Sequence, residues 1–371
     1  MMAKTSRAAV VPKPSADLII EEYELPELEP GAALMKVGLA GCCGTDVHLW
    51  HGRLAGVPYP LILGHEVVGT IEAIGPKSLK DLDGNELKVG DRVGFHDVTD
   101  TCFSCYYCLI ADAPTKCPNR KVYGITMDAS KFPRLIGGYA EYLYLKPGTH
   151  IMKLPDHVSF EGASAVGCAM PTAVHTVLRS PMTWGKHVAV QGSGPVGLMI
   201  AVLTSVSGAA SVTVLDKAKN RLEIAKKFGA TDTLNIGETT LEERKAKLKE
   251  ISGGHGPDIV YEATGNPHAI PEGIEIVRDG GAYSICGQYT DHGTTEINTH
   301  LMNKKHLDIK TVWGSRTLHV YRGIKTVAEN YDQFPFEDLV THRFSLDDAQ
   351  KALEAQEKQV SLKAVILPHG D

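Results

Sequence analysis

The 371-residue chain contains no apolar run approaching the roughly 20 residues that a helix needs to span a bilayer, so no membrane partner is expected. No block of like charge marks a tail, and 38 Lys and Arg against 44 Asp and Glu leave a formal net charge of -6. That balance, with a pI of about 6.2, argues against a nucleic-acid surface. Internal repeats and low-complexity segments are absent, which excludes a solenoid or a biased linker protein. Lys4 and Arg7 lead only into Ala8 to Pro14, too short and too Pro-broken for a signal-peptide core, so a cytoplasmic location is expected.

What is present suits a globular protein of two domains. The length exceeds one comfortable core, and 43% hydrophobic residues supply material for two. The eight cysteines do not read as a disulfide framework, because four are crowded at 102, 105, 108 and 117. Cys102-x-x-Cys105-x-x-Cys108, with Cys117 eight residues further on, places four thiolates in one short polar lobe. Four thiolates close a tetrahedron around Zn²⁺ and leave no open position, which makes a structural site. A zinc-finger binding module is the rival, disfavoured by the acidic charge and the lack of a following basic helix.

A second set has a different composition. Gly41-Cys42-Cys43-Gly44-Thr45-Asp46-Val47-His48 is read together with Gly64-His65-Glu66 and with Gly167-Cys168. Two thiolates and an imidazole are the ligands of a catalytic zinc whose fourth position is left for water or substrate. Thr45, Asp46 and His48 add a hydroxyl, a carboxylate and a second imidazole directly after Cys43.

Through residue 94 the chain reads as short strands and turns, at Ile19 to Leu25, Ala33 to Val37, Leu61 to Leu63 and Val67 to Ile74, which suggests closed or highly curved β-structure. Asp81 to Asn85 carries hairpin-turn chemistry. From His187 the texture becomes strand, glycine turn, helix. His187 to Gln191 is followed by Gly192-Ser193-Gly194-Pro195-Val196-Gly197 and an apolar helix, Leu198 to Ser207. A second strand, Ser211 to Leu215, ends at Asp216, 24 positions after Gly192. Glycines there let the backbone approach a pyrophosphate at a helix N-terminus, and the acid accepts the adenosine ribose hydroxyls, favouring NAD over NADP. Alternating elements continue through strand Leu307 to Val312, predicting a doubly wound parallel sheet of six strands. A closing strand, helix Leu346 to Gln356 and strand Lys363 to Leu367 are assigned back to the first domain.

These motifs together resemble the zinc-dependent medium-chain alcohol dehydrogenases, over essentially the whole chain. The resemblance implies a GroES-like, β-rich catalytic domain at 1–168, rejoined by 314–371, and a Rossmann NAD-binding domain at 169–313. It implies a catalytic zinc on Cys43, His65 and Cys168, with Glu66 close behind the metal, and a structural zinc on Cys102, Cys105, Cys108 and Cys117, two ions per subunit. Asp46 matches the partner that orients the zinc histidine. NAD contacts are implied for Thr172, Gly192, Gly194, Pro195, Val196, Gly197, Asp216, Arg221 and Lys363, the last at a cofactor phosphate. Two departures stand out: the last gap of the cysteine lobe is eight residues where seven is common, and Gly44 stands where some members carry a phosphate-contacting cation.

The activity implied is hydride transfer from an alcohol to NAD, giving an aldehyde or ketone. The resemblance implies that Thr45 takes the proton and that it passes through the cofactor ribose to His48. Polyol dehydrogenases of the family usually carry a glutamate at the position of Cys168, which tilts the reading toward simple alcohols, with polyols second. By family position Trp50, Tyr139 and Tyr289 are candidates to line the pocket, with ordinary packing the leading reading for each taken singly. A non-catalytic zinc- and NAD-binding protein is the alternative from another class. The resemblance further implies a homodimer or homotetramer.

Overall fold

The computed structural model describes residues 4–370. They form two compact units, one of residues up to 168 with 316–331 and 336 onward, the other of 169–315 with 332–335. The second crossing thus falls at 315/316 where 313/314 was expected, and 332–335 group with the second unit.

The first unit begins with β1 (Thr5–Val11), which runs through the apolar stretch considered above as a leader, then β2 (Ile19–Glu24), β3 (Ala33–Cys42), α1 (Gly44–Trp50), β4 (Leu61–Ile62) and β5 (Glu66–Ile74). β6 (Arg92–Phe95), β7 (Val98–Thr99), α2 (Tyr106–Leu109), β8 (Lys121–Val122), β9 (Tyr142–Leu145) and β10 (Ile151–Lys153) follow. β3 is the spine of this unit. Its ten residues are almost wholly buried, because both flanks are hydrogen-bonded and both faces are covered. β5 runs antiparallel beside it with Gly41 opposite Glu66, so the end of β3 and the start of β5 lie side by side. Asp81 to Asn85 does turn, with Gly84 at φ +87° and the Asp81 amide donating to the Asn85 carbonyl at 2.9 Å.

The second unit contains α3 (Ala169–Arg179), β11 (His187–Gln191), α4 (Pro195–Val206), β12 (Ser211–Asp216), α5 (Lys219–Lys227), β13 (Asp232–Asn235) and α6 (Leu241–Ile251). It continues with β14 (Ile259–Glu262), α7 (Ala269–Ile276), β15 (Ala282–Ile285), α8 (Thr299–Lys304) and β16 (Asp308–Thr311). The strand order is β13-β12-β11-β14-β15-β16, all parallel. This is the doubly wound order, whose direction of progression reverses next to β11, the strand that carries the glycine turn.

The chain then re-enters the first unit through α9 (Thr317–Glu329), β17 (Val340–Ser345), α10 (Ala349–Glu357) and β18 (Lys363–Leu367). β18 lies antiparallel against β3, with Ala364 opposite Cys42, and completes the order β10-β6-β5-β3-β18-β17. Helices α3 and α9 were not anticipated, although both carry apolar residues at helical spacing. Val320, Ile324 and Val327 of α9 are buried at i, i+4 and i+7. Helices α1 and α8 have only seven and six residues, too few turns for a period to register. Among the described residues no helix is long and apolar enough to cross a membrane.

Candidate functional site

Cys43 is the N-cap of α1. Its extended backbone (φ -127°, ψ 175°) turns the sulfur onto the Thr45 amide at 3.3 Å, and the Asp46 carboxylate accepts the Cys43 amide at 2.9 Å. This reciprocal capping box satisfies two of the donors that every helix start leaves open. It also points a sulfur at the positive end of the helix, which favours a thiolate. His65 enters from the turn before β5, with Nε2 at 3.3 Å from the Cys43 sulfur. Cys168 follows the short helical turn Gly162–Val166, and the ligand atoms of Cys43, His65, Glu66 and Cys168 all lie within 4.8 Å of one another.

Asp46 is fully buried and bridges the start of α1 to the turn before β5. Besides the Cys43 amide it accepts the Gly64 amide at 3.2 Å and lies 3.4 Å from His65 Nδ1. The Asp46 carboxylate thus faces the imidazole nitrogen turned away from Cys43 at ion-pair distance, the side from which a metal-binding histidine is oriented. Cys43, His65 and Cys168 influence one another's protonation strongly, and the Cys43 sulfur together with burial raises the Cys168 thiol. A hydrogen bond from Cys168 holds the Cys43 thiol well below its ordinary value against the opposing effect of burial, with the His65 charge adding to it. Burial works against the charged form of His65, yet the Cys43 and Asp46 charges raise its pKa. Two sulfurs and one imidazole nitrogen fit zinc by ligand type.

Glu66 differs from the other three. Its Oε2 is the partner of the Lys363 ammonium, in an ion pair that is almost completely inaccessible. Burial pushes the Glu66 carboxyl up to about 7 even with the Lys363 charge beside it. Gly41 makes room for this pair, since a Cβ there would lie 2.3 Å from Glu66 Oε2 and 3.0 Å from Lys363 Cε. Lys363 therefore does not fit the expected role at a cofactor phosphate. Its side chain leaves β18 toward the metal-ligand group and is 2% exposed.

The cysteine lobe closes on itself. Cys105 caps α2 and Cys117 ends the short turn Pro114–Lys116, leaving Cys105 and Cys108 sulfurs 3.5 Å apart and those of Cys102 and Cys117 also 3.5 Å apart. All four sulfurs lie within 4.8 Å of one another, and all eight cysteines of the chain are free thiols. The donor set is complete and fits a closed tetrahedral zinc.

In the second unit, Gly192 has φ +99° and follows β11, while Gly194 caps α4 with Pro195 in its first turn. A Cβ at Gly197 would stand 2.0 Å from the Gly192 carbonyl oxygen, so the helix can approach the turn only through glycine. Val196 is the second residue of α4, Asp216 ends β12, and Arg221 lies in α5. Thr172 sits within the first turn of α3, where its carbonyl accepts the Thr176 hydroxyl at 2.7 Å.

Comparison with known proteins matches this geometry to named families. The alcohol dehydrogenase GroES-like domain matches residues 29–156, and the zinc-binding dehydrogenase domain matches 195–329. The 5-exo-hydroxycamphor dehydrogenase of Pseudomonas putida is 35% identical, over 97% of this chain and 98% of that protein. The chain belongs to the zinc-binding alcohol dehydrogenase family. Within that family the sorbitol dehydrogenase of Mus musculus is 30% identical over 98% of this chain and 96% of the relative. An alcohol dehydrogenase of Thermotoga maritima has the same fold, with a TM-score of 0.94 at 35% identity, over 98% of this chain and 99% of that one. The protein is accordingly an oxidoreductase, a dehydrogenase of the alcohol and polyol type.

The three aromatic candidates for the dehydrogenase pocket are engaged in packing, the leading reading for each. Trp50 packs in the core of the first unit with its indole N–H donating to the Ala16 carbonyl at 2.8 Å. Tyr139 is wholly buried in the same core. Tyr289 stacks on Trp313 at 5.3 Å and 9° within the second unit. Two groups were missed. Asp97 is buried, which pushes its carboxyl up to about 6, and it feels the charges of His65 and Arg120. Ser193 hydrogen-bonds Asp216. Ser193 could have been noticed as a hydroxyl inside the glycine motif, whereas no local pattern marks Asp97.

Proposed function

We propose that the protein oxidises a hydrophobic alcohol bearing a single hydroxyl, with NAD as cofactor and two zinc ions per chain. The observation that carries the reading is the convergence of Cys43, His65 and Cys168 in a chain of this family, with Asp46 aiming the imidazole. Zinc supplies Lewis acidity at the substrate oxygen, and NAD supplies the hydride acceptor. The remaining roles belong to the chain. Cys43, His65 and Cys168 hold the metal, and Lys363 keeps Glu66 engaged behind them. Thr45 and His48 stand three residues apart on α1 and so share a face, where the hydroxyl takes the substrate proton and the imidazole releases it. The glycine turn and the start of α4 receive the pyrophosphate.

Two observations favour a monohydric alcohol over a polyol: the thiolate at Cys168 and the 35% identical relative named for 5-exo-hydroxycamphor. The 30% identical sorbitol dehydrogenase keeps polyols as the second reading. Each buried methylene is worth about 0.8 kcal/mol, or roughly fourfold in binding. kcat/KM should therefore rise from ethanol through longer primary and cyclic alcohols, with NADP the poorer cofactor by at least tenfold, about 1.4 kcal/mol. A steady-state panel reads both, and sorbitol or xylitol outperforming every monohydric alcohol would overturn the substrate reading. A homodimer or homotetramer is proposed as the assembly, supported by the edge strand β16, which among the described residues pairs only with β15.

Metal content gives an independent check. Elemental analysis of purified protein should return two zinc ions per chain. Cys105→Ser should return about one and a lower folding yield, because a closed zinc site contributes folding energy directly. An unchanged count in that variant would remove the cysteine lobe from the zinc assignment.

A further inference from the structure

We propose that Ser193 is a positioning residue for cofactor choice, fixing the Asp216 carboxylate in the orientation that selects NAD over NADP. The proposal rests on the NAD reading above. Ser193 is fully buried between the two glycines of the turn and donates twice to one oxygen, its amide at 2.8 Å and its hydroxyl at 2.7 Å from Asp216 Oδ2. The other oxygen, Oδ1, accepts the Ala218 amide at 2.9 Å. The turn is itself tied to the same strand, with the Gly192 amide donating to the Leu215 carbonyl at 2.8 Å.

A carboxylate has about four acceptor positions, two on each oxygen. Ser193 fills both on Oδ2 and Ala218 fills one on Oδ1, so one unfilled acceptor position remains, on Oδ1. That position is available to a ribose hydroxyl. A 2′-phosphate has no proton to give there, and the three donors oppose any rotation of the carboxylate away from it. Glycine or alanine at 193 would keep the amide hydrogen bond but lose the hydroxyl, freeing one of the two acceptor positions on Oδ2 and loosening the side chain. Ser193 thus acts through Asp216 rather than on the cofactor.

The test is a double-mutant cycle on the full chain, read as dissociation constants for NADH and NADPH from their fluorescence on binding. Ser193→Ala removes a single oxygen, and a circular-dichroism melt checks that the fold persists. Binding of NADH should weaken about fivefold and binding of NADPH less than twofold, so that the preference narrows. In the Asp216→Ala background, Ser193→Ala should change NADH binding by less than twofold. Equal losses for the two cofactors, or the same NADH loss with and without Asp216, would overturn the proposal. Wild-type protein binding NADPH as tightly as NADH would instead overturn the NAD reading, while the NADH arm of the cycle would still report whether Ser193 works through Asp216.

Discussion

Cys43→Ser is expected to lower kcat/KM for alcohol oxidation by at least about a thousandfold while leaving the fold in place. Serine is a preferred helix N-cap, so its hydroxyl can take over the Thr45 amide that the Cys43 sulfur accepts at 3.3 Å. What serine lacks is the thiolate beside His65 Nε2, one of only two sulfurs in the ligand group. Metal Lewis acidity is worth several kcal/mol at a transition state, and about 4 kcal/mol corresponds to roughly a thousandfold. Steady-state kinetics and a thermal melt on the same preparation check the two halves. Activity within tenfold of wild type would show that Cys43 is not a ligand of the working metal.

Lys363→Met should destabilise the protein by about 3–5 kcal/mol at pH 8, the usual cost of leaving one member of a buried ion pair unpaired. Methionine fills a similar volume, so the loss reports the charge rather than a cavity. The sign of its pH dependence follows from Glu66, whose folded pKa of about 7 lies above the ordinary carboxylate value of 4.5. A carboxyl raised on folding takes up a proton in the native state, so stability is full below the unfolded pKa and declines as pH rises through the folded one. Without Lys363 the folded pKa rises further, and the decline continues past pH 7 where wild type has levelled. The difference between wild type and variant should accordingly open above pH 7 and shrink toward pH 5.5. Urea denaturation at the two pH values measures it, with metal content assayed at each. An equal penalty at both would mean that Glu66 ionisation is not its source.

Residue types and short spacings were enough to read the four-cysteine lobe and the glycine turn from the sequence, because their signals are local, whereas the widely separated Cys43, His65 and Cys168 were joined by the family resemblance. Four cysteines within 16 positions, a capping cysteine followed by Thr45 and Asp46, and a glycine turn between a strand and an apolar helix each report on neighbours along the chain. The parallel sheet was legible for the same reason, each strand and helix carrying its own period. The same period is present in α3 and α9, each with buried apolar residues at helical spacing.

The tertiary structure decided what depends on distant segments. Lys363 looks like a solvent or cofactor cation in isolation, and only the pairing of β18 with β3 brings it to Glu66, 297 positions away. Trp50 and Tyr139 are open by position to either a pocket wall or ordinary packing, and packing across strands and loops puts both in the core. Asp216 is visible as the acid at a strand end, yet the serine hydroxyl that holds it comes from the turn after a different strand, 23 positions earlier. Buried charges and hydroxyls are specified by which partner can satisfy them away from water. That partner is chosen by sheet register and packing, which no window of neighbouring residues contains.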